Sequence, residues 1–443
     1  MDGARVRPPW GSGPSFSLTD GAAAVFCRTV LVFAVALSLG SSLALGGGVI
    51  RDSLGARSSG RGGTNLAFGD NGEVLYDNPG GILGFEGDEL FELGVDTLLT
   101  DLRYSDPDNP VTSAENDPFP MGQITYLRRS QDGVWAYGIG AYSVAGFSAE
   151  YTLNSSVFGP QQQYNSLGLM AKVLPGLACR VNDQLTIGGT FGVAASHMEL
   201  EGPYYIQGPT LPPGFPLMLD LQASGAAITW SLGMQYELTE RTTIGAAYTS
   251  ETQFGLHGPS TVEVPGLGAS RYDTRLNVTW PQSVGLGIKH KICPHRIIAA
   301  DVIWYGWSQA FDSFRLWFNN PGTPGFPPIY EEFPLGWKDT VAIRTGYEWR
   351  PVDNRVVRLG YIYNPNPIPD ETLTPFIQAT IVNTFSVGYG WITESGLEID
   401  LAYQYGFGKE QFVGTSGVAG GDADNSQHLS QVHWIYASLI RRY

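Results

Sequence analysis

Three groups of residues in this 443-residue chain are of types that could do chemistry. The first is Ser196 beside His197, a nucleophile next to a base. Hydrolysis would need both within hydrogen-bond reach on one side of the backbone. Neighbours on a strand point to opposite faces, so the pair is a poor hydrolase. The sequence holds no Gly-x-Ser-x-Gly elbow, His-Glu-x-x-His or Walker loop. The second group is Arg344, Glu348 and Arg358 with Glu398 and Asp400. Arginine presents a planar fork that fits a carboxylate, so Arg344 and Arg358 could hold the headgroup of an acidic ligand. The commoner use of such a set is an internal ion network. The third group is Asp106, Asp108, Asp422 and Asp424. Acids of this kind can take calcium but in loops are more often only solvated. Nothing here requires a cofactor or a metal.

The elements that would carry these residues alternate with period two. Leu397, Ile399, Leu401, Tyr403 and Tyr405 interleave with Glu398, Asp400, Ala402 and Gln404. One face would meet lipid and the other a polar interior. A soluble sandwich also alternates, so the connections decide. Candidate strands fall at 89–104, 119–130, 134–147, 164–179, 183–200, 223–238, 241–257, 272–291, 296–314, 336–350, 354–365, 380–393, 396–408 and 427–443. That is fourteen, an even number. Short connections, such as 130–133 and 351–353, take turns with long ones, such as 105–118, 148–163, 201–222, 258–271 and 315–335. Strict alternation suits periplasmic turns and extracellular loops. Trp135, Tyr236, Trp304, Trp349, Tyr389, Trp391, Trp434 and Tyr443 sit near strand ends and fit aromatic girdles. In this scheme Arg344 and Arg358 point inward and face each other across a turn at 351–353. Glu398 and Asp400 point inward two strands away, past the small inner face of Ser386, Gly388 and Gly390.

Composition agrees. Charged residues are 15% of the chain and aromatics 12%, with 57 glycines. The charged share is low for a soluble protein, yet mean hydropathy is only −0.07, which excludes a bundle of membrane helices. Residues 29–44 form an apolar run after Arg5, Arg7 and Arg28, ending in Ser42-Leu43-Ala44. We read 1–44 as a signal peptide rather than a membrane anchor. Removing it takes three Arg and two acids from a chain of net charge −16. So acidic a protein is no nucleic-acid binder. Cys179 and Cys293 would lie four strands apart, too far for a disulfide.

Two features bear on passage through such a wall. The connections 201–222 and 315–335 are rich in apolar side chains, among them Tyr204, Tyr205, Phe215, Trp317, Phe318 and Phe326. External apolar surface is a liability unless it binds something, so we expect it to capture hydrophobic ligands. The third strand carries Gly138, Gly140 and Gly146. Glycine within a strand marks a bend or bulge, and the wall is expected to open there.

The stretch from Gly60 to Leu83, with Asn78-Pro79-Gly80, resembles the N-terminal hatch of the FadL/TodX-type outer-membrane transporters. That family has Ala where Gly80 stands. Further matches are Trp280-Pro281-Gln282-Ser283-Val284, Asp301 to Trp304 with Trp307-Ser308, Trp337 to Thr340, Gly346-Tyr347-Glu348, Arg358 to Tyr361, and Pro367 to Glu371 with Thr374-Pro375. The resemblance covers most of residues 55–443. It implies an all-β fold, a 14-stranded antiparallel transmembrane β-barrel over 87–443 with the hatch, 45–86, inside the lumen. It implies uptake of long-chain fatty acids or other hydrophobic compounds across the outer membrane and its lipopolysaccharide, with gating at Asn78, Pro79 and Gly80 and release through the side of the wall. The expected state is a monomer. A diffusion porin for polar solutes and an outer-membrane lipase are the alternatives.

Overall fold

The computed structural model describes residues 49–443 except 116 and 419. The expected leader, 1–44, lies outside the described residues. From Glu89 onward the chain is a single closed wall of fourteen antiparallel strands. They are β1 (Glu89–Asp106), β2 (Phe119–Arg129), β3 (Trp135–Ser155), β4 (Gly159–Arg180), β5 (Leu185–Ile206), β6 (Phe215–Thr239) and β7 (Thr242–Thr249 and Thr252–Val264). Next come β8 (Gly268–Trp280 and Ser283–Cys293), β9 (Arg296–Tyr305, resuming at Ser313–Asn319) and β10 (Ile329–Pro334 and Thr340–Val352). The last four are β11 (Arg355–Tyr363), β12 (Asn383–Ile392), β13 (Leu397–Phe407) and β14 (Ser426–Arg442). β14 pairs with β1 from Leu90–Arg442 to Ser105–Gln427 and closes the barrel. In lipid every wall N–H and C=O must be satisfied, and closure does this without leaving an edge.

Alternation works as the sequence implies. Val95, Leu232, Leu286, Phe385 and Ile435 are exposed on the outer face. Glu92, Gln235, Asp301, Asp400 and Gln404 are buried on the inner one. Trp434 departs from the expected girdle. It faces the lumen, where the Arg51 guanidinium lies 4.7 Å from its ring centroid.

The strands are longer at the long-loop end than the sequence suggests. Most of 148–163, 201–222 and 258–271 is paired strand, leaving only short tips. The reason is the backbone: apolar side chains such as Tyr204 and Leu217 can be buried only where their N–H and C=O groups pair. Tyr204 and Tyr205 thus belong to β5, Phe215 to β6, and Trp317 and Phe318 to the upper part of β9, while Phe326 stays in the tip beyond it.

Residues 49–86 fill the lumen. Their regular elements are α1 (Ala56–Gly60), α2 (Val74–Asp77) and a 3-10 helix, Pro79–Gly84. Asn78 caps that helix, its Oδ1 accepting from Gly80 N at 3.0 Å, and Pro79 sets the first turn. Asn78 and Pro79 thus open a six-residue 3-10 helix. Asn78 Nδ2 donates to Leu66 O (2.6 Å) and Met234 O (3.0 Å), and Thr186 Oγ1 donates to Gly80 O (2.7 Å). Glycines on the wall make this fit possible. A Cβ on Gly233 would stand 2.0 Å from Asn78 Oδ1, and one on Gly188 would stand 2.2 Å from Pro79 O.

Gly233→Val should therefore leave the wall strands intact but unseat the Asn78 turn. The expected loss is about 1–3 kcal/mol, typical of overpacking a tight contact. Urea titration of the detergent-solubilised protein measures it, and a midpoint equal to the wild type's would show that the contact is slack.

Candidate functional site

The wall has a seam between β2 and β3. β2 runs beside β1 up to the pair Leu98–Phe119, but β3 leaves β2 at the pair Gln123–Tyr142. Residues Phe119 to Gly122 thus have β1 on one side and, among the described residues, no ladder partner on the other. β3 turns inward here. Its register with β4 shifts between Ser143 and Ala145, and Val144 and Ala145 are both buried. Such a bulge bends the strand that carries it. The edge given up by β2 is taken by the first described residues of the lumen segment. Arg51 N donates to Val144 O, Gly146 N donates to Val49 O, both at 3.2 Å, and Ile50 faces Ala145. Gly146 lies beside this gap. Gly138 and Gly140 lie below it, in the fully paired part of β3. The Asn78–Gly80 turn rests on β5 and β6, away from the gap.

Above the lumen segment lies an apolar cavity of about 1010 Å³, part of it open to solvent. Leu153, Met198, Leu200, Leu219, Leu276 and Leu316 are among its walls, with Tyr204 and Tyr205 of the expected capture residues. Phe318 is buried beside Tyr272, at 6.0 Å between centroids, while Trp317 stacks with Tyr330 at 5.3 Å. The charged residues lining the cavity are Asp106, Glu199 and Asp422, all acids. A second cavity, about 880 Å³, shares Phe147 and Phe376 with the first and reaches Gly146, Ser148 and Val49 to Asp52. The two together run from the long-loop end to the β2–β3 gap.

The charges singled out in the sequence serve the lumen segment. The β10–β11 hairpin is registered so that Arg358 faces Glu348 and Arg344 faces Ile362, not Arg358. The turn holds an irregularity between Trp349 and Val352 that simple counting misses. Arg358 Nε pairs with Glu348 Oε2 at 3.0 Å, and Arg358 also pairs with Asp400. Arg57 of α1 binds Asp400 (2.7 Å) and Glu398, while Arg61 grips both Asp70 oxygens (2.8 and 2.9 Å) and lies 3.6 Å from Glu348. Arg344 donates to Tyr305 Oη (2.9 Å) and Gly63 O (3.3 Å) and lies 3.6 Å from Asp52. Arg57 and Arg61, the partners inside the Gly-rich segment, escaped the sequence reading, although their four-residue spacing was there to be noticed. Asp400→Asn leaves buried guanidinium groups without their counter-charge and should cost about 3–5 kcal/mol. Protease nicking of 49–86 reports it, and an unchanged rate would mean the network does not hold the segment.

Lys172 was missed too. It is buried on β4, donates to Thr229 Oγ1 at 3.2 Å, and has no carboxylate within 4.0 Å among the described residues. It shares a polar cavity of about 650 Å³ with Arg344, Tyr305 and Asp77. The other sequence candidates separate. Ser196 Oγ donates to Leu169 O, while His197 bonds Ser224 and Glu199 on the opposite face. No group of three or more His, Cys, Asp or Glu among the described residues could hold a metal ion. Asp106 and Asp422 are occupied by protein donors rather than solvated, Asp106 by Tyr104 and Asn109. Cys179 and Cys293 are free.

Glu331 sits in the hairpin between Ser313–Asn319 and Ile329–Pro334, at the long-loop end. It is fully buried and accepts from Gln207 N (2.8 Å) and Tyr204 Oη (3.2 Å), both through Oε1, while its Oε2 is unpartnered. Burial pushes its carboxyl up to about 7, against the Gln207 amide, which pulls the other way. The folded hairpin thus binds a proton that the unfolded chain releases near 4.5. Stability falls as pH rises between these values and stays low above them. Amide exchange at 205–208 should quicken from pH 5 to pH 8 beyond its intrinsic pH dependence. Glu331→Gln should remove that excess, and an excess persisting in the variant would rule Glu331 out as its source.

Comparison with known proteins places this geometry. Residues 37–437 match the family model of the outer membrane protein transport protein (OMPP1/FadL/TodX). Among solved structures, the Pseudomonas putida toluene transporter TodX is similar, with a TM-score of 0.77 at 20% identity, over 88% of this chain and 99% of that one. The Ralstonia pickettii toluene transporter TbuX gives 0.70 at 20% identity, over 88% and 99%. A Pseudomonas aeruginosa FadL homologue gives 0.70 at 17%, over 89% and 99%. No curated protein matches in sequence. With the family model spanning nearly all of the barrel, the chain belongs to the OMPP1/FadL/TodX family of outer-membrane transport proteins, and it is a transporter rather than an enzyme.

Proposed function

We propose that this protein takes up small, uncharged hydrophobic compounds, monoaromatic hydrocarbons among them, and releases them sideways through the β2–β3 gap. The observation that carries the reading is the run of apolar space from the long-loop end to that gap. A hydrophobic solute crosses a polar lipopolysaccharide layer poorly and gains by transfer to an apolar cavity. Tyr204, Tyr205, Phe215, Trp317, Phe318 and Phe326 form or flank the receiving surface. Val49 to Arg51 bar the way out, so passage requires them to move from β3. The free energy for that shift must come from a ligand that binds better to the shifted state. The Asn78–Gly80 turn is the pivot that keeps the rest of the segment seated meanwhile. TodX and TbuX are described as toluene transporters, which supports the substrate class.

Gly146→Trp tests the exit. Its Cβ would lie 3.3 Å from Gly168 O and Leu169, within reach of the gap. Uptake of labelled toluene by cells carrying the variant should fall severalfold while the barrel keeps its heat-modifiable migration on gels. Wild-type uptake by the folded variant would move the exit elsewhere.

Free fatty acids are the second reading. It is favoured by Lys172, a buried cation lacking a carboxylate, in the cavity it shares with Arg344. Lys172→Met should then lower oleate uptake and spare toluene uptake. Equal oleate uptake by variant and wild type would exclude a headgroup site there.

A further inference from the structure

The apolar cavity has an unusual polar end. Asp422, in the connection between β13 and β14, turns its carboxylate onto β3, β4 and β5. Oδ2 accepts from Tyr205 Oη (2.5 Å), Ser155 Oγ (2.6 Å) and Tyr164 Oη (3.1 Å). Oδ1 accepts from Ser156 Oγ (2.5 Å) and Ser156 N (3.0 Å). Tyr104 Oη reaches Asp106 Oδ2 (2.7 Å) and Asp422 O (3.1 Å), and Tyr204 Oη reaches Glu331 Oε1 (3.2 Å). A phenol has one proton to give. All four tyrosine hydroxyls of the cavity therefore spend theirs on protein oxygens, two of them on one carboxylate. The cavity has no lysine, arginine or histidine; its neutral side-chain donors are the Thr374 hydroxyl and the Asn154 amide, which already gives one N–H to Asp108 O (3.0 Å).

We infer that Asp422 is a specificity-determining residue: by taking the Tyr164 and Tyr205 protons it leaves the cavity without strong donors, so that it admits hydrocarbons and rejects ligands that bring hydrogen-bond acceptors. An acceptor moved here from water loses its partners and finds no phenol or cation, only the Thr374 hydroxyl and the Asn154 amide in their place, which is the costly outcome. A carboxylate would meet three acids as well. Specificity arises by withholding donors rather than by adding contacts to the favoured ligand.

This inference rests on the proposed capture role of the cavity, and the test separates the two. Toluene and benzaldehyde are close in size, and only benzaldehyde carries a carbonyl acceptor. Their dissociation constants would be measured with the full barrel in lipid nanodiscs. In Asp422→Ala the freed phenols should bring the benzaldehyde-to-toluene ratio down about threefold or more, the worth of one hydrogen bond. Adding Tyr164→Phe and Tyr205→Phe should restore the wild-type ratio. If Asp422→Ala does not fold, Tyr205→Phe in the wild type serves instead. It frees one carboxylate lone pair without freeing a phenol proton, so the ratio should not fall. A folded Asp422→Ala with an unchanged ratio, or a lowered ratio in Tyr205→Phe, would overturn the inference while leaving the capture role standing. Failure of the wild type to bind either compound would overturn both.

Discussion

The constraint on which the rest of this structure depends is that a backbone inside a membrane has no water to bond. Closing fourteen strands on themselves meets it along most of the wall but not at the β2–β3 seam. There the inward bend of β3 would strand its own edge. The lumen segment supplies the missing partner through Val49 and Arg51. Seam and plug are thus coupled: where β3 leaves β2, the bent edge of β3 pairs with the first described residues of the plug. Two backbone hydrogen bonds join these residues to β3, and the Arg51 side chain adds a buried ion pair to Asp96 (2.6 Å) and a bond to Ser143 O (2.8 Å).

The polar lumen follows from the same alternation that makes the outside apolar. Inward residues cannot all face water once a plug fills the space, so their charges must be matched. Glu348, Glu398 and Asp400 on the wall meet Arg57 and Arg61 on the plug and Arg358 between them. Buried pairs of this kind add little net stability, but they fix one arrangement, since any shift separates charges. The plug is therefore held along its Gly-rich middle by this network and at its start, beside the seam, by Arg51 on Asp96.

Strand number, closure and the alternation of short and long connections were legible because each has a local signature, period two or a turn. What was not legible involved pairings that no local pattern records. The facing of Arg358 and Glu348 turned on an irregular hairpin that residue counting cannot see. Strand ends were read too short because Tyr204 to Ile206 and Phe215 to Leu219 look like apolar loops until their mutual pairing is known. Three glycines marked β3 as the strand that bends, but the bend itself comes from a one-residue bulge at Val144, whose side chain has no special type. Asp422 looked like any loop acid. Only the fold shows that it draws on Tyr164 and Tyr205 from more than two hundred residues away.

The plug also bears on how the chain is built. Arg57 and Arg61 stand near the beginning, while Glu348, Glu398, Asp400 and Arg442 stand on β10, β13 and β14, near the end. Contacts so far apart in sequence are slow to form. A nascent barrel therefore leaves Arg57 without Glu398 and Asp400 until its last strands arrive, although Arg61 already has Asp70 within the plug. β14 is also the strand that zips to β1, so sealing the wall and docking the plug fall to the same late step. The carboxyl-terminal quarter thus acts as the quality check on assembly: without it the chain has neither a closed wall nor a seated plug.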